Sequence, residues 1–228
     1  MALVKYSMMI SEIRNKLNGS VFARNRGGNY IRNKVTPVNR KSAAQALARS
    51  RLTQFAQAWR SLTEAQRVAW NSVTSQWART NVFGDVVNPS GNALFNRLNI
   101  NRSIAGQSQL DTPPLPVGAD ALTELSFTAD ASQGEMKITF APNAVPTGHV
   151  LFIESTANLS PGIFNANAQF RHIATLPSAT ASGEDVHQAQ INKFGALSVG
   201  QKVFIRGKLI NSATGEVSQA LQASSIAV

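Results

Sequence analysis

The sequence predicts an α+β chain, with an N-terminal β-hairpin plus a three-helix basic domain, then a C-terminal antiparallel β-sandwich. Three observations carry this. Charge is lopsided: residues 1–110 hold sixteen Lys and Arg, twelve of them Arg, against three acids, whereas residues 111–228 hold six against nine. All three Trp and both Tyr precede residue 80. Apolar residues recur at steps of three and four in the first half and at steps of two in the second. The boundaries expected are 1–110 for the basic domain, 111–118 for a Pro-rich linker and 119–228 for the sandwich.

In chain order, Ser20–Arg24 and Asn29–Val35 are β-prone runs flanking Asn-Arg-Gly-Gly, which suits a hairpin. Alternation puts Tyr30, Arg32 and Lys34 on one face of the second run. Arg24 and Arg26 share a parity in the first, so a one-sided basic ribbon is expected. Such a ribbon can lie on nucleic acid or an acidic protein groove. It can equally be a solvated edge that resists aggregation.

Two helices follow, opened by the same signal, Ser42-Ala-Ala-Gln45 and Thr63-Glu-Ala-Gln66. In each, the hydroxyl accepts from the third helical N–H while the Gln reaches back to the cap. Ala44, Ala48, Leu52, Phe55, Trp59 and Leu62 form a narrow apolar stripe on the first. Ala69, Trp70, Val73 and Trp77 continue it on the second. The indoles are read as the core of this half rather than as a binding platform. Of Arg49, Arg51 and Arg60 on the first helix, only Arg51 borders the stripe. A turn on Gly84 leads to a third helix capped by Ser90, with Leu94, Phe95 and Leu98 apolar and Arg97 and Arg102 beside them.

Asp111-Thr-Pro-Pro-Leu-Pro116 reads as a stiff extended linker. Beyond it, runs at Leu122–Phe127, Glu135–Phe140, His149–Glu154, Phe170–Leu176, Lys202–Ile210 and Glu216–Val228 are short strands separated by turn residues.

Composition narrows the function classes. A net charge of +10 favours an anionic or acidic partner. The absence of cysteine removes disulfides, thiolate metal sites and Cys nucleophiles together. No signal-peptide core or membrane-spanning run is visible. His149, His172 and His187 show no metal-ligand spacing, and His187 lies in a loop-like stretch. No phosphate loop, dinucleotide fingerprint or nucleophile elbow occurs. The expectation is a non-enzyme with no cofactor and no metal.

Resemblances add to this. Leu197-Ser-Val-Gly200, Phe204-Ile-Arg206 and Gly215-Glu-Val-Ser218 resemble the end of a fibronectin type III domain, which implies an immunoglobulin-like sandwich. Phe204 stands where that family places a tyrosine, and Phe140 where it places a tryptophan. Gly19-Ser-Val-Phe22, Gly28-Asn-Tyr-Ile-Arg32, Val35-Thr-Pro-Val-Asn39 and Trp59-x-x-Leu62 through Trp70-Asn71 resemble a group of phage-encoded proteins. Phe83-Gly-Asp85, Ser90-Gly91 and Leu94-Phe95-x-x-Leu98-Asn99 continue that match in order. It implies a virion or assembly protein. Phe55 to Trp70 is also similar to the middle of an HMG box, which implies minor-groove DNA binding.

Together these lead to a structural virion protein, an auxiliary or minor capsid protein or a head–tail connector, assembled in the host cytoplasm. Its partners would be capsid, portal or tail proteins, with packaged DNA as a further candidate. It would be present in multiple copies, with no membrane involved. Arg24, Arg26, Tyr30, Arg32 and Lys34 on the ribbon are the expected contacts, followed by Arg49, Arg51 and Arg60. The alternatives are a DNA-binding accessory protein with an HMG-box-like helical half, and an adhesive module using sandwich loops.

Overall fold

The computed structural model describes residues 2–7, 10, 12–39, 41–118 and 120–228. The chain divides into two compact units, Met1–Leu94 and Phe95–Val228. The division falls inside a helix, upstream of the 111–118 stretch at which the sequence suggested it.

The first unit opens with four short strands, β1 (Ala2–Leu3), β2 (Asn15–Leu17), β3 (Ser20–Asn25) and β4 (Gly28–Asn33). They form one antiparallel sheet in the order β1-β4-β3-β2. The expected hairpin is β3–β4. The outer strands were not foreseen, although Asn18-Gly19 between β2 and β3 is the dipeptide most typical of a tight hairpin. Asn18 there is left-handed, at φ 52°.

Helices α1 (Ala43–Ser61) and α2 (Glu64–Ser72) follow. Thr63 forms the full capping box: its hydroxyl accepts from the Gln66 N–H at 3.3 Å, and the Gln66 side chain accepts from the Thr63 N–H at 2.9 Å. At α1 only half of that motif forms, the Gln45 N–H donating to Ser42 Oγ at 3.3 Å.

Helix α2 stops short of Trp77, because residues 73–77 tighten into a 3-10 turn. The cause is local. Ser72 and Thr74 donate their hydroxyls to the carbonyls of Ala69 and Asn71, and Val73 is β-branched. Trp70 and Trp77 are buried while Trp59 is half-buried. A small pair, β5 (Arg79–Thr80) and β6 (Val86–Val87), then leads to α3 (Gly91–Ile104). Ser90 caps α3 as expected, its Oγ accepting from Ala93 N–H at 3.2 Å. Gly91 meets the Asn71 side chain where a Cβ would collide, at 2.4 Å.

The second unit is an antiparallel β-sandwich. Its strands are β7 (Glu124–Asp130), β8 (Glu135–Ala141), β9 (His149–Ser155), β10 (Arg171–Leu176), β11 (Glu184–Asp185), β12 (Lys202–Asn211) and β13 (Leu221–Ile226). One sheet runs β11-β8-β7 and the other β10-β9-β12-β13. Between them lie Phe127, Met136, Ile138, Leu151, Ile153, Val203, Ile205 and Leu209. The alternation expected in β12 holds, with Val203, Ile205 and Leu209 inward. The β9 run is apolar on both faces because Val150 and Phe152 pack with Ile210 under Ile104 and Ala105 of the α3 end.

A short helix, α4 (His187–Phe194), was not foreseen; its first residue, His187, is helical and not in a loop. It is missed because its only fully buried side chain is the polar Gln190.

Polar bonds join the last turns of α3 to the turn after β12. Asn101 donates to the Gly215 carbonyl at 2.8 Å. The buried Arg102 guanidinium donates to Ser108 O at 3.0 Å and to the carbonyls of Ser212 and Ala213. Burial pulls the Arg102 guanidinium below its ordinary value, and three neutral acceptors offset the lost hydration. Asn99 holds both backbone groups of Leu110, at 2.7 and 3.2 Å, which turns the chain back after the helix.

Gly215 is left-handed at φ 79°, and a Cβ there would lie 2.3 Å from the Leu98 carbonyl oxygen. Gly215→Ala is expected to cost about 2–4 kcal/mol in urea unfolding followed by circular dichroism. Arg102→Met should cost roughly 2–3 kcal/mol, because the hydrogen bonds from a charged donor to three backbone carbonyls are lost.

Candidate partner-binding surface of the first unit

The first unit has fourteen Lys and Arg but three carboxylates, Glu12, Glu64 and Asp85. Each carboxylate already has a cation. Glu12 pairs with Arg14 at 2.8 Å and Arg24 at 3.9 Å, Glu64 with Arg67 at 3.0 Å, and Asp85 with Lys5 at 3.0 Å. Among the described residues no carboxylate lies within ion-pair distance of Arg26, Arg32, Lys34, Arg51 or Arg60.

The sheet sorts the ribbon residues differently from the sequence expectation. The two-residue turn Arg26-Gly27 pairs Arg24 with Asn29, Phe22 with Ile31, Ala23 with Tyr30 and Val21 with Arg32. Directly paired residues share a face, so Arg24 lies with Phe22 and Ile31, and Tyr30 and Arg32 lie on the opposite face. The one-sided ribbon is therefore corrected. Parity within each run was right, but an even residue of β3 pairs with an odd residue of β4. Arg26 sits at the turn, exposed, and Lys34 follows β4 with its N–H bonded to Gly19 O at 2.8 Å.

What shares the Arg32 face is a residue the sequence reading passed over. Lys16 of β2 pairs with Val21, which pairs with Arg32, so Lys16, Val21 and Arg32 form one transverse row. Strand spacing sets their backbones about 10 Å apart. Recognising Asn18-Gly19 as a hairpin turn would have found Lys16. Tyr30, half-buried, is flanked by Leu3 of β1 and Ala23 of β3.

On α1, Arg49 is exposed and both guanidinium NH2 groups donate to Asn39 Oδ1 at 3.2 Å. Arg51 is half-buried and Arg60 exposed. The stripe on this helix is only partly covered: Phe55 and Leu62 are buried, whereas Ala44, Ala48 and Leu52 are exposed.

A cleft of about 360 Å³ opens beside the sheet, lined by Lys5, Tyr6, Asn29, Phe83 and Asp85 among others. The Lys5 ammonium lies 5.2 Å from the Phe83 ring centroid while bonding Asp85. The turn that presents Asp85 is built on Asn81, whose side-chain oxygen accepts from the N–H groups of Phe83 and Asp85 at 2.8 and 2.9 Å. A closed ion pair leaves this cleft without net charge, so the anion-attracting groups lie outside it.

In the second unit the histidines are separate. His149 is buried near Thr147 O, His172 stacks on Phe152 at 4.3 Å, and His187 begins α4. Among the described residues no group of three or more His, Asp or Glu could hold a metal ion, and no helix is long and apolar enough to cross a membrane.

No protein-family model matches the chain, and no curated protein matches it. Among solved structures it is similar to "a Fn3-like protein from Clostridium thermocellum", at 14% identity and a TM-score of 0.32, over 48% of this chain and 94% of that one.

Hydrogen bonding from Lys5 first, and then from Asn81, holds the Asp85 carboxyl below its ordinary 3.8. A depressed carboxyl stabilises the fold above its unfolded value, and that contribution is lost as pH falls through the folded one. A carbon-detected NMR titration should place the Asp85 midpoint below 3.8, and Lys5→Met should raise it.

Proposed function

We propose that this protein is a non-enzymatic structural component of a phage virion, an auxiliary or minor capsid protein or a head–tail connector. Its basic N-terminal half fastens it to neighbours. One observation carries the reading. Residues 13–63 contain eleven Lys and Arg and no acid, and the carboxylates elsewhere in that unit are already paired. A surface with this much uncompensated charge concentrates acidic protein or phosphate around it. The exposed groups that act are Arg26, Arg32, Lys34 and Lys16 on the sheet, with Arg24 on its other face and Tyr30 between strands. Arg49, Arg51 and Arg60 add to them from α1. The order of motifs resembling phage-encoded proteins supports the virion assignment.

The second unit supports a decorating role. Seven antiparallel strands in sheets of three and four suit an immunoglobulin-type sandwich, and the Leu197–Ser218 motifs refine that to a fibronectin type III-like module. Helices α1, α2 and the start of α3 then belong to the basic anchoring domain.

In gradient-purified particles the protein should keep a constant ratio to the major capsid protein through successive purifications. Arg26→Glu combined with Arg32→Glu and Lys34→Glu should reduce incorporation at least roughly tenfold, in line with the cost of like-charge contacts. Recovery only from infected-cell lysate, never from particles, would exclude the reading. The DNA-binding alternative is decided by gel shift on duplex DNA. Contacts from about five cations would lose roughly 10²–10³-fold affinity between 50 and 200 mM salt. Affinity of that kind, in a protein missing from particles, would favour the DNA-binding role.

A further inference from the structure

The stripe on α1 is continuous, but its cover is not. Phe55, Trp59 and Leu62 occupy the C-terminal half, buried or half-buried, and the same face extends one and two turns back to Leu52, Ala48 and Ala44, which are exposed. Leu47 flanks them, and Leu47 and Leu52 remain 54% and 53% exposed. Ala44, Ala48 and Leu52 run along about 12 Å of helix, with Leu47 at the far margin roughly 140° around from Leu52, and together they make a face built for a partner.

The surrounding charge says which partner. Arg51 borders this half, Lys41 precedes the helix and Arg49 lies about 60° beyond Leu52, and α1 holds no acid at all, not even in its first turn. A second copy would bring the same cations against these and be repelled. Phosphate would satisfy the arginines but leave the leucines in water. A protein helix with leucines on one side and carboxylates along the margins satisfies both.

Resting on the reading that this half engages a neighbouring protein, we infer that residues 43–52 of α1 are the docking face for an acidic amphipathic helix of a different protein. Its apolar side seats on Ala44, Ala48 and Leu52, and its carboxylates lie beside Lys41, Arg49 and Arg51. This is the helix-on-helix mode of recognition, read through anchors three and four residues apart.

The test uses the full chain and a labelled synthetic 18-residue helical peptide with leucines at every third or fourth position and glutamates elsewhere, followed by fluorescence anisotropy. Binding should occur with a Kd of order micromolar, typical of a small transient contact. A lysine-for-glutamate peptide should bind at least about tenfold more weakly, as like charges would then meet. Leu47→Gln with Leu52→Gln should weaken binding at least about tenfold without moving the melting temperature, since both side chains are exposed. Leu52→Met should retain it.

The inference falls if the leucine variants bind unchanged, or if a glutamate peptide lacking leucines binds equally well. It also falls if sedimentation shows a wild-type dimer that Leu52→Gln dissolves, or if duplex DNA displaces the peptide and binds the leucine variants undiminished. Particles that incorporate the double-leucine variant at full copy number would overturn this docking face and leave the virion reading intact. Absence of the wild-type chain from particles would overturn that reading whatever the peptide does.

Discussion

The second unit depends on a cation solvated by protein backbone. Arg102 sits at the end of α3 with its guanidinium among carbonyls from the helix's own return loop and from the turn after β12. A carboxylate partner is unnecessary, because three backbone acceptors in fixed positions replace the water the group gives up. The close approach of Gly215 to the Leu98 backbone, which only a residue without a Cβ allows, brings those carbonyls within reach. The consequence is that most of α3 belongs to the sandwich unit. The helix closes one outer face of β9 and β12 through Ile104 and Ala105, which is why β9 is apolar on both sides.

The first unit runs on the opposite electrostatic logic. Most of its described arginines are exposed, its three acids are consumed by ion pairs, and the surplus has no internal counterweight. Exposed pairs of this kind contribute little to stability. Their significance is subtractive: they occupy the carboxylates that would otherwise quiet the surface. The flat basic row of Lys16 and Arg32 and the uncovered half of α1 share this property, since both present groups that water accommodates and that the chain itself does not satisfy.

Much of the architecture is legible in the sequence. Strands β7 and β8 follow period-two alternation, because one face of each meets the apolar core, whereas β9 is apolar on both faces. The helix starts at Thr63 and Ser90 follow from capping chemistry, which acts over three residues and needs no tertiary context. The rest was hidden for several different physical reasons. The strands β1 and β2 are too short to show periodicity, and the face of Arg24 depends on which residue lies across the hairpin. The end of α2 depends on Ser72 and Thr74 hydroxyls competing for helix carbonyls. Helix α4 buries a glutamine rather than a hydrophobic residue, so no apolar stripe announces it. Arg102 appeared only as a charged neighbour of an apolar face; nothing local distinguishes an arginine destined for burial from one destined for solvent.

The turn between β12 and β13 has a further implication. In antibody-type sandwiches the connection between the final two strands is one of the segments left free to vary, and recognition of foreign molecules evolves there. Here residues 212–215 are committed: their carbonyls are held by Asn101 and Arg102, and Gly215 admits no side chain. In this unit that segment is a socket for its own helix. A side chain added in that segment meets the helix, whereas the connection carrying Phe164 turns its ring to solvent.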